Sequence, residues 1–105
     1  MNDASKKRLR RVRIRIEGRV QGVGFRPAVY RLARRFGLTG FVRNTSFGVA
    51  VEIQGFPGVV DDFVSNLRTA VPRQAIIESI VLDNLKKVDG EKSLKIVKKL
   101  TTTVS

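Results

Sequence analysis

The chain has no cysteine, no histidine and no tryptophan, and only nine acidic residues stand against 21 basic ones. Each shortage closes off chemistry. Without cysteine there is no disulfide framework and no thiolate nucleophile. Without cysteine and histidine there is no zinc site of the usual kind, no phosphohistidine intermediate and no Ser-His-Asp triad. The expectation is a protein with no resident metal and no cofactor. No apolar run approaches the roughly 20 residues that cross a bilayer, and the polar, basic stretch Met1 to Arg11 lacks the apolar centre of a secretory signal. A cytoplasmic protein with no membrane partner is expected. Its chemistry falls to Arg, Lys, Asn, carboxylates, hydroxyls and the backbone.

What is present suits a single domain. A chain of 105 residues with 42% hydrophobic content can bury a core without staples. The formal charge is +12, and half of it lies in the first fifteen residues, where Lys6, Lys7, Arg8, Arg10, Arg11, Arg13 and Arg15 face only Asp3. Residues 1–10 are expected to be a basic disordered tail, 11–100 the domain and 101–105 a frayed end. The tail is read as solubilising, meeting nucleic acid only non-specifically, while the overall field draws in small anions. Nothing in the sequence sets an oligomeric state.

Local periodicity predicts β-α-β-β-α-β with a short extra strand. Arg11 to Glu17 alternates, with Val12, Ile14 and Ile16 on one face and Arg11, Arg13, Arg15 and Glu17 on the other, a strand buried on one side. Val29, Leu32, Ala33 and Phe36 repeat at helical spacing and Gly37 closes that helix. Gly40 to Asn44 and Val49 to Gln54 form a hairpin around Thr45-Ser46-Phe47-Gly48. A second helix carries Val60, Phe63, Val64, Leu67 and Val71, with Asp61 and Asp62 suited to its first turn and Pro72 ending it. Ala75 to Leu82 is a strand whose broken alternation predicts a bulge near Glu78-Ser79. Lys86 to Lys92 is a polar turn, and Leu94 and Ile96 mark the last short strand. The expected fold class is α+β: a ferredoxin-like sandwich with an antiparallel sheet and both helices on one face.

The stretch Gly18-Arg19-Val20-Gln21-Gly22-Val23-Gly24-Phe25-Arg26-Pro27 joins the first strand to the first helix. Gly18, Gly22 and Gly24 admit positive φ, so successive N–H groups of Gln21, Gly22, Val23, Gly24 and Phe25 can turn inward as an anion-binding nest. Pro27 is expected at the first helical position, with Arg26 extended just outside it. A helix N-terminus, a ring of backbone donors and one guanidinium then converge on a site for a phosphate-sized dianion. A nucleotide P-loop is excluded, since no Lys-Ser/Thr pair follows the glycines, and the dinucleotide fingerprint is excluded by spacing. In the expected fold this loop lies near the strand that ends at Asn44.

Two segments carry a resemblance. Gly18 to Arg26 resembles the signature loop of the acylphosphatases, and Gly40-Phe41-Val42-Arg43-Asn44-Thr45-Ser46-Phe47-Gly48 resembles their second signature, in the same order and spacing. The likeness runs from about Val12 to Ile96. It implies the ferredoxin-like fold and hydrolysis of carboxyl-phosphate anhydrides without metal or covalent intermediate. By the resemblance, Arg26 binds phosphate and Asn44 orients the attacking water as the catalytic pair, Gln21 to Phe25 form the cradle, and Gly18 and Thr45 support it. The substrate is then a small acyl phosphate, with phosphate and other anions as further ligands. Phe47 departs from the family, where a polar or charged residue often precedes the glycine, and places an aromatic at the rim. A narrower likeness, through Phe25-Arg26-Pro27-Ala28-Val29-Tyr30 and the run into Ala75 and Ile77, is to the N-terminal acylphosphatase-like domain of hydrogenase-maturation carbamoyltransferases, which use carbamoyl phosphate. The sequence stops at Ser105, before any cysteine-rich or nucleotide-handling region, so a free-standing hydrolase and a domain of such an enzyme both fit.

Two other functions fit the same element order. RNA-recognition domains share it, and the basic charge suits them, but they stack bases on aromatics of the central strands. The solvent-side positions here are Arg13 and Arg15 on the first strand and Ala50, Glu52 and Gln54 on the third, which offer no such platform. A domain that binds a small anion without turning it over needs Arg26 and the loop but not Asn44.

Overall fold

The computed structural model describes residues 8–97. Five strands and two helices follow in the order β1 (Arg10–Arg19), α1 (Phe25–Arg35), β2 (Thr39–Asn44), β3 (Gly48–Gly55), α2 (Pro57–Ala70), β4 (Ile76–Leu85) and β5 (Leu94–Val97). The sheet order is β4-β1-β3-β2-β5. β3 runs antiparallel to both β1 and β2, so β1 and β2 are parallel and α1 is the crossover that joins them. The expected tail lies largely outside the described residues, as does the frayed end, although Arg10 already pairs with Gly55 as part of β1.

The period-2 pattern of β1 explains the layers. Val12, Ile14 and Ile16 are fully buried and pack with Val29, Leu32 and Ala33 of α1, Val51 and Ile53 of β3, and Val60, Phe63 and Leu67 of α2. Each large apolar side chain taken from water contributes roughly 1.5–3 kcal/mol, enough for the helices to be held on this one face of the sheet. α1 ends in a Schellman turn: Gly37 has φ 70°, its N–H donates to the Arg34 carbonyl at 3.0 Å, and Leu38 N–H donates to Ala33 at 3.1 Å.

Several expectations are corrected. β5 pairs with β2 in parallel, so the sheet is mixed rather than wholly antiparallel. α1 begins at Phe25 behind Gly24, so Arg26 is helical and Pro27 is the third helical residue, not the first. The cause is Phe25, whose buried side chain draws the helix start into the core. Proline takes the first position in α2 instead, at Pro57. Because α2 starts there, Asp61 and Asp62 fall in its second turn, and Asp61 accepts a hydrogen bond from Arg10 at 2.7 Å. The bulge in β4 is present: Glu17 faces Ser79 and Gly18 faces Ile77, leaving Glu78 as the extra residue.

The face of the sheet away from the helices is not simply solvated. The connection between β4 and β5 folds across one end of it, burying Arg11 to 4% exposure and Gln54 with it. Gln54 exchanges two hydrogen bonds with the Val88 backbone, at 2.8 and 3.0 Å. Arg11 donates to Glu52 from β3 and to Glu91 from the connection, the shortest contact being 2.8 Å. Ala50 is also buried, between the register partners Arg15 and Arg43.

Candidate active site

Residues 20–25 are anchored at both ends by the core. Val20 and Phe25 are buried, while Gln21, Gly22 and Gly24 between them are exposed. Gly22 and Gly24 have φ of 79° and 77°, and a Cβ at either would meet open space. Glycine is therefore required at these two positions by backbone conformation, not by crowding. Among the described residues, no backbone N–H from Gln21 to Arg26 donates a hydrogen bond of ordinary geometry to a protein acceptor. These donors lead into the N-terminus of α1, whose first turn contains no acidic residue. The partial positive charge of the helix end thus meets no carboxylate of its own turn.

Gly18 and Thr45 are placed differently from the cradle residues. The Gly18 N–H donates to the Phe47 carbonyl at 3.1 Å, and the Thr45 N–H donates to the Gly48 carbonyl at 2.9 Å. Their backbone donors are spent on the scaffold. A Cβ on Gly18 would also collide with the backbone of β4 at Ile76.

Sequence reasoning missed the side chain of Gln21. Its amide nitrogen donates to the Thr45 carbonyl at 2.8 Å and to the Gly48 carbonyl at 3.0 Å. One amide thereby ties the glycine loop to the turn that follows Asn44. A long polar side chain in a glycine-rich loop was the available signal, but nothing local told which carbonyls it would meet.

Asn44 closes β2 opposite Val49, on the face that carries Val42 and the helices. Its Oδ1 is buried and, among the described residues, accepts from no donor. A buried acceptor without a partner is costly unless something outside the protein donates to it. Arg26, in the first turn of α1, donates from Nη1 to the Val97 carbonyl at 3.1 Å. Val97 is the register partner of Arg43, the residue before Asn44. Arg26 and Asn44 are therefore brought to the same end of the sheet by β5, and among the described residues the fork of Arg26 spends one donor, on Val97.

A groove of about 710 Å³ lies on the other flank of the loop, lined in part by Glu17, Arg19, Gln21, Phe47, Ile76 and Glu78. Neither Arg26 nor Asn44 contributes to its walls. A cradle built of backbone donors at a helix end is shallow, so size alone does not mark it. Phe47 is 73% exposed at the rim of this groove. Among the described residues no group of acidic side chains could hold a metal ion, and no helix is long and apolar enough to cross a membrane.

Comparison with known proteins fits this geometry. A family model described as acylphosphatase matches residues 12–96. Over 84 residues the chain is 48% identical to a carbamoyltransferase HypF of Rhizobium leguminosarum bv. viciae, a match covering 80% of this chain and 11% of that protein. It is 38% identical over 90 residues to an acylphosphatase of Clostridium acetobutylicum, covering 85% of this chain and 98% of that one. The crystal structure of an acylphosphatase from Bacillus subtilis superposes with a TM-score of 0.75 at 29% identity, over 85% of this chain and 98% of the other. The chain thus spans about 11% of the length of the first HypF relative it matches.

Proposed function

Since the chain belongs to the acylphosphatase family, we propose that it hydrolyses acyl phosphates, with Arg26 and Asn44 as its catalytic residues and the backbone of Gln21 to Phe25 as its phosphate cradle. The observation that carries this reading is the buried Oδ1 of Asn44, which accepts from no donor among the described residues. An anion-binding domain has no use for such an acceptor, whereas a hydrolase uses it to hold water.

The chemistry asks little beyond position and charge. The phosphoryl oxygens rest on the N–H groups at the start of α1 and on the remaining donors of Arg26, a planar fork that lysine does not reproduce. Water donates to Asn44 Oδ1 and presents its lone pair to phosphorus, opposite the acyl oxygen. A P–O bond forms to the water oxygen, the P–O bond to the acyl oxygen breaks, and the electron pair leaves on the carboxylate. The proton of the water passes to a phosphoryl oxygen. A carboxylate is a weak base and departs without a general acid, which suits a chain without histidine. Holding the reactants in line and stabilising developing charge on fixed donors supplies the acceleration.

The similarity to carbamoyltransferases supports a second reading, in which the same residues form a domain of a longer enzyme acting on carbamoyl phosphate. A cytoplasmic location, and a salt-sensitive contact with nucleic acid through the basic tail, belong to the same proposal.

Phosphate release from benzoyl phosphate in the presence of a chelator is the test. Arg26→Ala is expected to raise KM for the substrate and the inhibition constant of phosphate. Asn44→Ala is expected to lower kcat by about 10²-fold or more at nearly unchanged KM, in the range for loss of a group that acts only at the transition state. Full activity of Asn44→Ala would remove the water-holding role. Comparing carbamoyl with benzoyl phosphate separates the two readings.

A further inference from the structure

We propose that Glu91 is a positioning residue for Arg26: held by Arg11 and Thr39 on the face away from the helices, it fixes β5 so that the Val97 carbonyl keeps the Arg26 guanidinium at the cradle. The inference rests on Arg26 being the phosphate ligand.

The need for such a device follows from β5 itself. Over its described residues, Leu94–Val97, it lies at an edge and pairs with β2 alone, and an edge strand is held on one side only. Yet its last described residue supplies the carbonyl that Arg26 uses. Two attachments hold the approach to β5. The Gly40 N–H donates to the Ser93 carbonyl at 3.0 Å. Two residues earlier, Glu91 receives Arg11 Nη1 at 2.8 Å and the Thr39 hydroxyl at 2.8 Å. Lys95 of β5 adds a favourable charge to Glu91. Glu91 is therefore joined to β1 through Arg11 and to β2 through Thr39, three residues before β5 begins. Arg11 is shared with Glu52, but Glu52 belongs to β3, and among the described residues its polar contacts are with Arg11. Both carboxylates thus pair with the buried cation, and only Glu91 stands in the connection that leads to β5.

That asymmetry makes the proposal testable with inorganic phosphate as the probe, its dissociation constant read from the amide resonances of Gly22 and Gly24. Glu91→Ala is expected to bind phosphate about fivefold more weakly, part of the worth of one charge-assisted hydrogen bond, with kcat for benzoyl phosphate at saturation within about twofold of wild type. Thr39→Val, which leaves Arg11 paired, is expected to weaken phosphate about twofold, as loss of one neutral hydrogen bond within the clamp. Glu52→Gln is expected to lose stability to urea but to keep the wild-type phosphate constant. An unchanged constant in folded Glu91→Ala, or an equal loss in Glu52→Gln, overturns the proposal. If Glu91→Ala does not fold, Thr39→Val against Glu52→Gln decides it alone. Wild-type protein that binds phosphate but leaves benzoyl phosphate intact would defeat the hydrolase reading and not this one. Failure to bind phosphate would defeat both.

Discussion

Gln21 offers the sharpest perturbation, because one side-chain amide joins the two halves of the site. Gln21→Ala removes hydrogen bonds of 2.8 and 3.0 Å to the Thr45 and Gly48 carbonyls. Two neutral bonds at about 0.5–1.5 kcal/mol each set the scale. The loss falls below their sum for two structural reasons. Gly48 keeps the Thr45 N–H as a donor at 2.9 Å, and the bond to Thr45 lies at the surface, where water replaces the amide. A destabilisation of about 1–2 kcal/mol is expected, roughly 5–10 °C in Tm for a domain of this size. Gln21→Glu is the stricter variant, since it turns an acceptor-only carboxylate toward two carbonyl oxygens and adds negative charge beside an anion cradle. It should be less stable than Gln21→Ala and should raise KM for benzoyl phosphate, whereas Gln21→Ala should chiefly lower kcat by loosening the turn after Asn44. Urea unfolding and steady-state kinetics on both variants provide the check. If Gln21→Glu is as stable as wild type, the amide is not a donor to these carbonyls and the reasoning fails.

Two further outcomes follow from the same structure. Gly24→Ala meets open space but must hold φ near 77°, so it should cost about 1–2 kcal/mol of strain and weaken phosphate binding, measured by urea midpoint and phosphate inhibition; an unstrained, fully active Gly24→Ala would show that the loop conformation is not required. Burial alone would raise the Glu91 carboxyl, but hydrogen bonds from Arg11 and Thr39, with the charges of Arg11 and Lys95, outweigh it and leave it below its ordinary value of 4.5. Its folded state therefore binds the proton less readily than the unfolded one, so its stabilisation is complete above pH 4.5 and is lost as pH falls through the lowered value. Glu91→Gln should flatten that acid limb of the stability curve, and an unchanged limb would assign it to other carboxylates.

Local pattern made most of the fold legible. Alternation in Val12, Ile14 and Ile16 marks the buried face of β1, and the spacing of Val29, Leu32 and Ala33 marks α1, because each residue's side of its own element depends only on backbone period. The broken alternation around Glu78 likewise showed the bulge. The conformation of the glycine loop was legible for a related reason: glycines at 22 and 24 are required by φ, a property of the residue itself.

Where the chain folds back on itself, local pattern no longer discriminates. Arg11, Arg13 and Arg15 occupy equivalent positions in the alternation, yet only Arg11 is enclosed, because the connection after β4 crosses that end of the sheet. The start of α1 moved to Phe25 because the core claimed that ring, against the local preference of the residue before proline. Arg26 meets a carbonyl 71 residues away and Gln21 meets two carbonyls 24 and 27 residues away. The sequence by itself determined the elements, their buried faces and the left-handed turns of the glycine loop. Which atoms those residues touch was decided only by tertiary structure, since a hydrogen bond depends on sub-ångström placement of two groups and backbone period specifies the direction of one.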